Sequence, residues 1–311
     1  MNRRRKLLVA LGASALAAPL RIFAQQAKRS VVVGVLRYVD RPSSLVYIDA
    51  FKQGLQELGY IEGRNLALEL RFAEGRAERL PALAEELVRL KVDVIVTASA
   101  PAILFAQQAT RTIPIVMARV GDAVDQGFVA SLARPGGNIT GISWLAPELS
   151  AKRLELMKEA LPGIVRVGIL REASAGAASV IAVEAAARKL GVVPSLFEVR
   201  GPEEFPTAFS AMSDARVDAV EVLEGLMIFN SVRPLVALAD AHRLPAIFPD
   251  VSFVTAGGPM SYGPDFPETH RRTAEIVAKI LKGTRADDIP VEQPTKFEFA
   301  VNNPSSNPEV Q

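Results

Sequence analysis

From Val31 onward the chain alternates short apolar, β-branched runs with segments of helical periodicity, and it does so in two successive sets. Ser30 to Leu36 is a continuous β-branched run of the kind buried on both faces of a sheet. Val46, Ala50, Phe51, Gly54, Leu55 and Leu58 then follow helical spacing, with Ser43 or Ser44 as cap and Gly59 as terminator. Strands at 65–72, 92–98, 113–120 and 139–143 are predicted to alternate with helices at 80–90, 102–110 and 126–133. The rhythm restarts with a helix at 152–160 and a strand at 165–170, and repeats through a strand at 246–249. A strand at 260–263, a long helix at 268–281 ended by Gly283, and a strand at 296–301 complete the series. Regular βα alternation requires parallel strands with helices on both faces. The predicted fold class is therefore α/β: two doubly wound parallel-sheet lobes joined by several chain crossings that act as a hinge.

The predicted division places residues 30–143 and 264–290 in a first lobe, and 144–263 and 291–302 in a second. A polar tail at 303–311, rich in Pro, Ser and Asn, is expected to fray. Ahead of both lobes, residues 1–24 carry Arg3, Arg4, Arg5 and Lys6, then an apolar run from Leu7 to Leu20, then Ala24. That is the layout of a cleavable export signal, and the run is shorter than the ~20 apolar residues a membrane span needs. The predicted location is the periplasm, by the Sec or the twin-arginine route. Five of the 36 basic residues and no acid lie in this segment, which leaves 31 bases against 34 acids, a net charge of −3. No basic footprint for nucleic acid survives that removal. The chain has no cysteine, so no disulfide is expected and no lipid-bearing cysteine is available. Its two histidines, His242 and His270, stand in separate segments, and His270 reads as part of a solvated helix face. No metal site, cofactor fingerprint or catalytic motif is present, and the Gly-rich stretch 134–141 reads as a turn feeding a strand rather than a phosphate loop.

Several segments carry a family likeness. They are Ala50 to Asn65 (AFKQGLQELGYIEGRN), Ala109 to Met117, Val120 to Asp122, and Gln126 to Gly141. His242 to Ile247, Gly257 to Asp265 and Gln293 to Glu298 extend it. Through these the chain resembles the substrate-binding proteins of ABC transporters, in particular those related to tryptophan- and other amino-acid-binding proteins. The resemblance covers residues 30 to about 301. It implies the type I periplasmic-binding fold, a small-molecule solute, and an ABC permease with its ATPase as partners, for a monomer that does not span the membrane.

In open α/β sheets a ligand lies beyond the carboxyl ends of the strands. That rule selects Arg37, Tyr38, Ser99, Ala100, Arg119, Asp122 and Trp144 in the first lobe. In the second it selects Ser174, Glu224, Asn230, Asp250 and Tyr262. Ser99 with the free N–H groups after it makes a cradle for a carboxylate, or else is an ordinary helix cap. Asp122 is an ammonium acceptor or a loop cap, with Glu224 its counterpart in the second lobe. Arg37 and Arg119 hold a carboxylate or make lobe-to-lobe ion pairs. Tyr38, Trp144 and Tyr262 wall the ligand, with core packing the alternative for Trp144. The expected function is capture of a small solute, an amino acid or related carboxylate. A sugar-binding or sensing protein of the same fold, or an exported two-lobe α/β enzyme, is the alternative.

Overall fold

The first strand, β1 (Val31–Arg37), is flanked on both sides by parallel strands, β2 (Leu66–Phe72) and β3 (Val94–Ala98). The structure, a computed structural model, describes residues 30–302. The expected export signal and the expected frayed tail lie outside the described residues. Strands β4 (Ile115–Val120) and β5 (Ile139–Ser143) extend the sheet, giving the order β2-β1-β3-β4-β5, all parallel. The second sheet runs β11-β10-β9-β8-β6-β7. It comprises β6 (Arg166–Glu172), β7 (Val193–Val199), β8 (Ala219–Val222), β9 (Ala246–Phe248), β10 (Met260–Pro264) and β11 (Phe297–Val301). Set aside β11, which pairs antiparallel with β10, and the order of the first sheet is repeated strand for strand. Each sheet reverses its winding direction at one point, between β1 and β3 and between β6 and β8, where a doubly wound sheet opens a crevice.

Helices cover both faces of each sheet. In the first, α2 (Leu80–Arg89) and α3 (Ala100–Ala109) close one core around Leu36, Leu87, Ile95, Ile103 and Met117. The other face is closed by α1 (Arg41–Glu57) and α10 (Phe266–Leu281) through Phe51, Leu55, Ala274, Val277 and Ile280. These two helices approach closely because position 54 is glycine: a Cβ there would lie 2.3 Å from the Arg271 carbonyl oxygen. In the second sheet, α6 (Phe205–Asp214) and α8 (Val232–Ala241) pack one face through Phe205, Phe209 and Leu235. Helices α4 (Ala146–Ala160) and α5 (Ala178–Leu190) pack the other through Leu154, Met157 and Val183. Each fully buried side chain such as Phe209 contributes about 1.5–3 kcal/mol. Two short helices, α7 (Leu226–Phe229) and α9 (Val251–Thr255), sit at the carboxyl ends of β8 and β9.

The chain passes between the sheets three times. It leaves the first after β5, returns with α10, and goes back with β11. Val291 and Glu292, expected with the second lobe, lie along β5 instead. Glu292 N–H donates to Gly141 O at 2.8 Å, and Val291 joins the first core. The last passage therefore falls between Glu292 and Phe297.

Three local expectations are corrected. Helix α1 begins before Ser43 because Asp40 caps it, its carboxylate accepting from Ser43 N–H at 2.9 Å. The stretch 126–133 is not helical: Gly127 takes φ +71°, and the backbone there closes turns. His270 is 3% exposed rather than solvated, since it lies on the face that α10 presents to the first sheet.

Candidate functional site

The carboxyl ends of both sets of strands converge on a cavity of about 950 Å³. From the first sheet, Arg37 ends β1 and Tyr38 follows it, Ser99 and Ala100 follow β3, and Arg119 and Asp122 come from the end of β4 and the loop after it. From the second, Ser174 follows β6, Glu224 and Asn230 follow β8, and Asp250 follows β9. Trp144, on the first passage between the sheets, also reaches the wall. Tyr262 does not: it projects from mid-strand β10, and its ring stacks on Phe297 of β11 at 6.2 Å. Sequence reasoning passed over Tyr47, Ser179 and Phe229, which all line the cavity. Tyr47 and Phe229 sit on helices, where rings at helical spacing read as core.

Ser99 is the most unusual position. Its φ of +133° is a region that residues with a side chain rarely occupy, and such strain persists where the surroundings impose it. It stands at the N-terminus of α3 yet makes no capping hydrogen bond, and its Oγ is buried with no partner among the described residues. Thr97 Oγ1, two residues earlier, is likewise buried and unpartnered. The ordinary-cap reading of Ser99 fails on that geometry.

Arg119 owes its placement to an irregularity in β4. The alternation of Ile115, Val116, Met117 and Ala118 between two cores breaks after Ala118, and the pairing of β4 shifts register against both neighbours. A bulge of this kind re-aims a side chain. The Arg119 guanidinium carbon lies 3.8 Å from the ring centre of Phe229 and 3.6 Å from that of Phe266, in the corner made by two edge-on rings. Trp144 completes the cluster at 5.3 Å from Phe266 and 6.1 Å from Phe229, and is 3% exposed. It is packed into a small aromatic core with only part of it on the wall.

Arg37, 6% exposed, makes no ion pair between lobes. It donates to Ser44 Oγ at 3.4 Å and approaches His270 Nε2 at 3.2 Å. His270 Nδ1 lies 2.8 Å from Phe266 O, and a carbonyl only accepts, so Nδ1 carries the proton and Nε2 accepts from Arg37. Burial first, then the charges of Arg37 and Arg119, hold His270 well below its usual range and thus neutral. Burial, then Arg119, also lowers Arg37, to about 10.

Four acids of the wall, Asp122, Asp250, Glu172 and Glu224, carry internal hydrogen bonds, while the exposed Asp125 carboxylate accepts none among the described residues. Asp122 Oδ1 accepts from the Val124 and Asp125 N–H groups at 3.0 Å each, which makes it a loop cap. Asp250 caps α9 through Ser252 N–H. Glu172 accepts from Met227 N–H at 2.8 Å and from Ser174. Glu224 accepts from Arg153 at 2.6 Å, from Ser150 at 3.1 Å and from Ser179. Behind it, Arg153 and Glu221 are fully buried at 3.3 Å from each other.

Among the described residues no cluster of three or more potential ligands could hold a metal, and no helix is long and apolar enough to cross a membrane. Comparison with known proteins places these features in context. The family model described as "ABC transporter substrate binding protein" matches residues 32–309. A tyrosine-binding protein from Clostridioides difficile is 27% identical over 278 residues, covering 88% of this chain and 79% of that one. A Streptococcus pneumonia ABC domain solved with L-Trp superposes with a TM-score of 0.80 at 25% identity, covering 88% of this chain and 92% of the other. A conserved domain protein from Vibrio cholerae superposes with a TM-score of 0.79 at 26% identity, with the same coverage.

Proposed function

Because the chain belongs to the ABC transporter substrate-binding protein family and has the type I periplasmic-binding fold, we propose that it captures a small carboxylate-bearing solute, an amino acid or related acid, between its two sheets. It carries that solute to a permease and its ATPase, as a monomer exported by residues 1–24 to the periplasm. The lobes that move against each other are 30–143 with 266–292, and 144–264 with the C-terminal strand. It performs no chemistry on the solute.

The observation that carries this reading is Ser99. A strained backbone, a buried hydroxyl without a partner and the first free N–H groups of α3 coincide at the winding reversal of the first sheet. A carboxylate there accepts from the hydroxyl and from backbone N–H groups at the positive end of the helix. The aromatic wall of Tyr38, Tyr47 and Phe229 offers apolar area to a side chain. The tyrosine-binding relative and the L-Trp complex are consistent with that class of ligand.

A thermal-shift screen of amino acids, organic acids and neutral sugars on the chain from Gln25 onward tests the class, and calorimetry on Ser99→Ala tests the site. The variant is expected to bind the best acid more weakly by roughly 0.5–1.5 kcal/mol. Unchanged affinity removes Ser99 from the site. A neutral sugar as best ligand overturns the proposal.

A further inference from the structure

Asp125 follows β4 in the first lobe, Gly176 follows β6 in the second, and the two meet across the cavity. A Cβ at position 176 would lie 2.8 Å from Asp125 Oδ2, so the carboxylate occupies the space that a side chain there would need. Gly176 does not take a positive φ, so backbone freedom does not account for the glycine. Asp125 is exposed, and its carboxylate makes no hydrogen bond or ion pair among the described residues. What it faces is the start of α5. Ala177 there supplies no side-chain cap, and the first turn of the helix holds no acid. Ile181 N–H, bonded to Ala177 O, is the first to be satisfied by the helix, so the N–H groups from Gly176 to Val180 have no acceptor among the described residues. The equivalent helix of the first lobe, α1, is capped from its own lobe by Asp40. The loop before α5 is held in place by Arg171, which donates to Ala175 O.

We propose that Asp125 and the start of α5 form a latch between the lobes: as they close, the carboxylate of the first lobe caps the helix of the second. A carboxylate is stabilised at a helix N-terminus both by the free N–H groups and by the positive end of the dipole. In the open arrangement those N–H groups and the carboxylate face water instead, so the contact favours closure by a modest amount and does not lock it. The latch goes beyond solute capture, since it acts before any solute arrives. It sets the fraction of molecules already closed, and the apparent affinity of a ligand that needs the closed form scales with that fraction.

A chain without cysteine accepts two site-specific spin labels directly. Leu104→Cys on α3 and Arg233→Cys on α8 place one label in each lobe, both at exposed positions on the cavity rim. Pulsed electron resonance then reads the distance between the lobes with no ligand present. In that doubly labelled chain, Asp125→Ala is expected to move the distribution toward longer distances. Gly176→Ala, which displaces the carboxylate, is expected to do the same, and adding it to Asp125→Ala is expected to change nothing further. Asp125→Asn keeps a capping oxygen without the charge and is expected to fall between the native chain and Asp125→Ala. Thermal melts check that each variant folds, as substitutions at exposed positions should. A distribution that Asp125→Ala leaves unchanged overturns the latch, and so do effects of the two alanine substitutions that simply add. Because no solute enters the measurement, either result leaves the proposed function standing.

Discussion

Glu221 sits wholly inside the second lobe with one oxygen 3.3 Å from Arg153 and the other without a partner among the described residues. Arg153 makes its shorter contact to Glu224, so one positive charge faces two carboxyls and neutralises one of them. Burial pushes Glu221 up to about 8, with the attraction of Arg153 opposing and the repulsion of Glu224 reinforcing the shift. A folded value raised above the unfolded one means that the folded state binds the proton more tightly. The associated stability is complete below about pH 4.5 and is lost as pH rises through about 8. Glu221→Gln carries no such titration. The melting temperature of the native chain relative to this variant is therefore expected to fall between pH 5 and 8 and then level off. A difference that stays flat over that range would show that Glu221 is ionised throughout. The same residue shows a limit of sequence reading: Glu224 follows an apolar strand and was legible as a cavity acid, but its partner Arg153 lies 71 positions away on a helix. What a carboxylate is already bonded to is a tertiary property.

Among the elements, α1 and α10 pack against each other where Gly54 faces the Arg271 carbonyl. Gly54→Ala forces the helices apart, because the obstacle is backbone rather than a flexible side chain. A loss of about 1–3 kcal/mol is expected by denaturant titration. An unchanged midpoint would mean that the pair can slide without cost. The strands and long helices were legible because burial periodicity is written locally in their own residues. The elements that failed were decided elsewhere. Gly127 breaks the 126–133 helix through its own backbone, a signal available in the sequence but outweighed by the apolar residues around it. The bulge in β4 exists only by its pairing with β3 and β5, and it moves Arg119 into the aromatic corner. Phe229 reads as helical core until the two sheets are brought together. Tyr262 was misplaced because the rule of strand ends does not say which mid-strand side chains an antiparallel neighbour will cover.

At the scale of the molecule, two sheets of the same winding order face each other across one cavity and share three connections. Three short passages leave the lobes free to pivot about a common line while opposing large sliding. Solution scattering of the chain from Gln25 is expected to show a smaller radius of gyration when a tight ligand is added. At 100 times its dissociation constant that ligand adds about 2.7 kcal/mol of stability. An unchanged radius would argue for lobes already fixed in one arrangement.

The out-and-back path of the chain has a consequence for the order in which the protein is made. Helix α10 lies late in the sequence yet supplies one wall of the first lobe's core, and β11, later still, finishes the second sheet. Synthesis proceeds at roughly 5–20 residues per second, so the stretch from the end of β5 to the end of α10 takes about 7–28 s to make, and for that time the first sheet lacks one of its covering helices. Neither lobe can reach its final packing until α10 and β11 have been made, so the two lobes are completed together, at the end of synthesis.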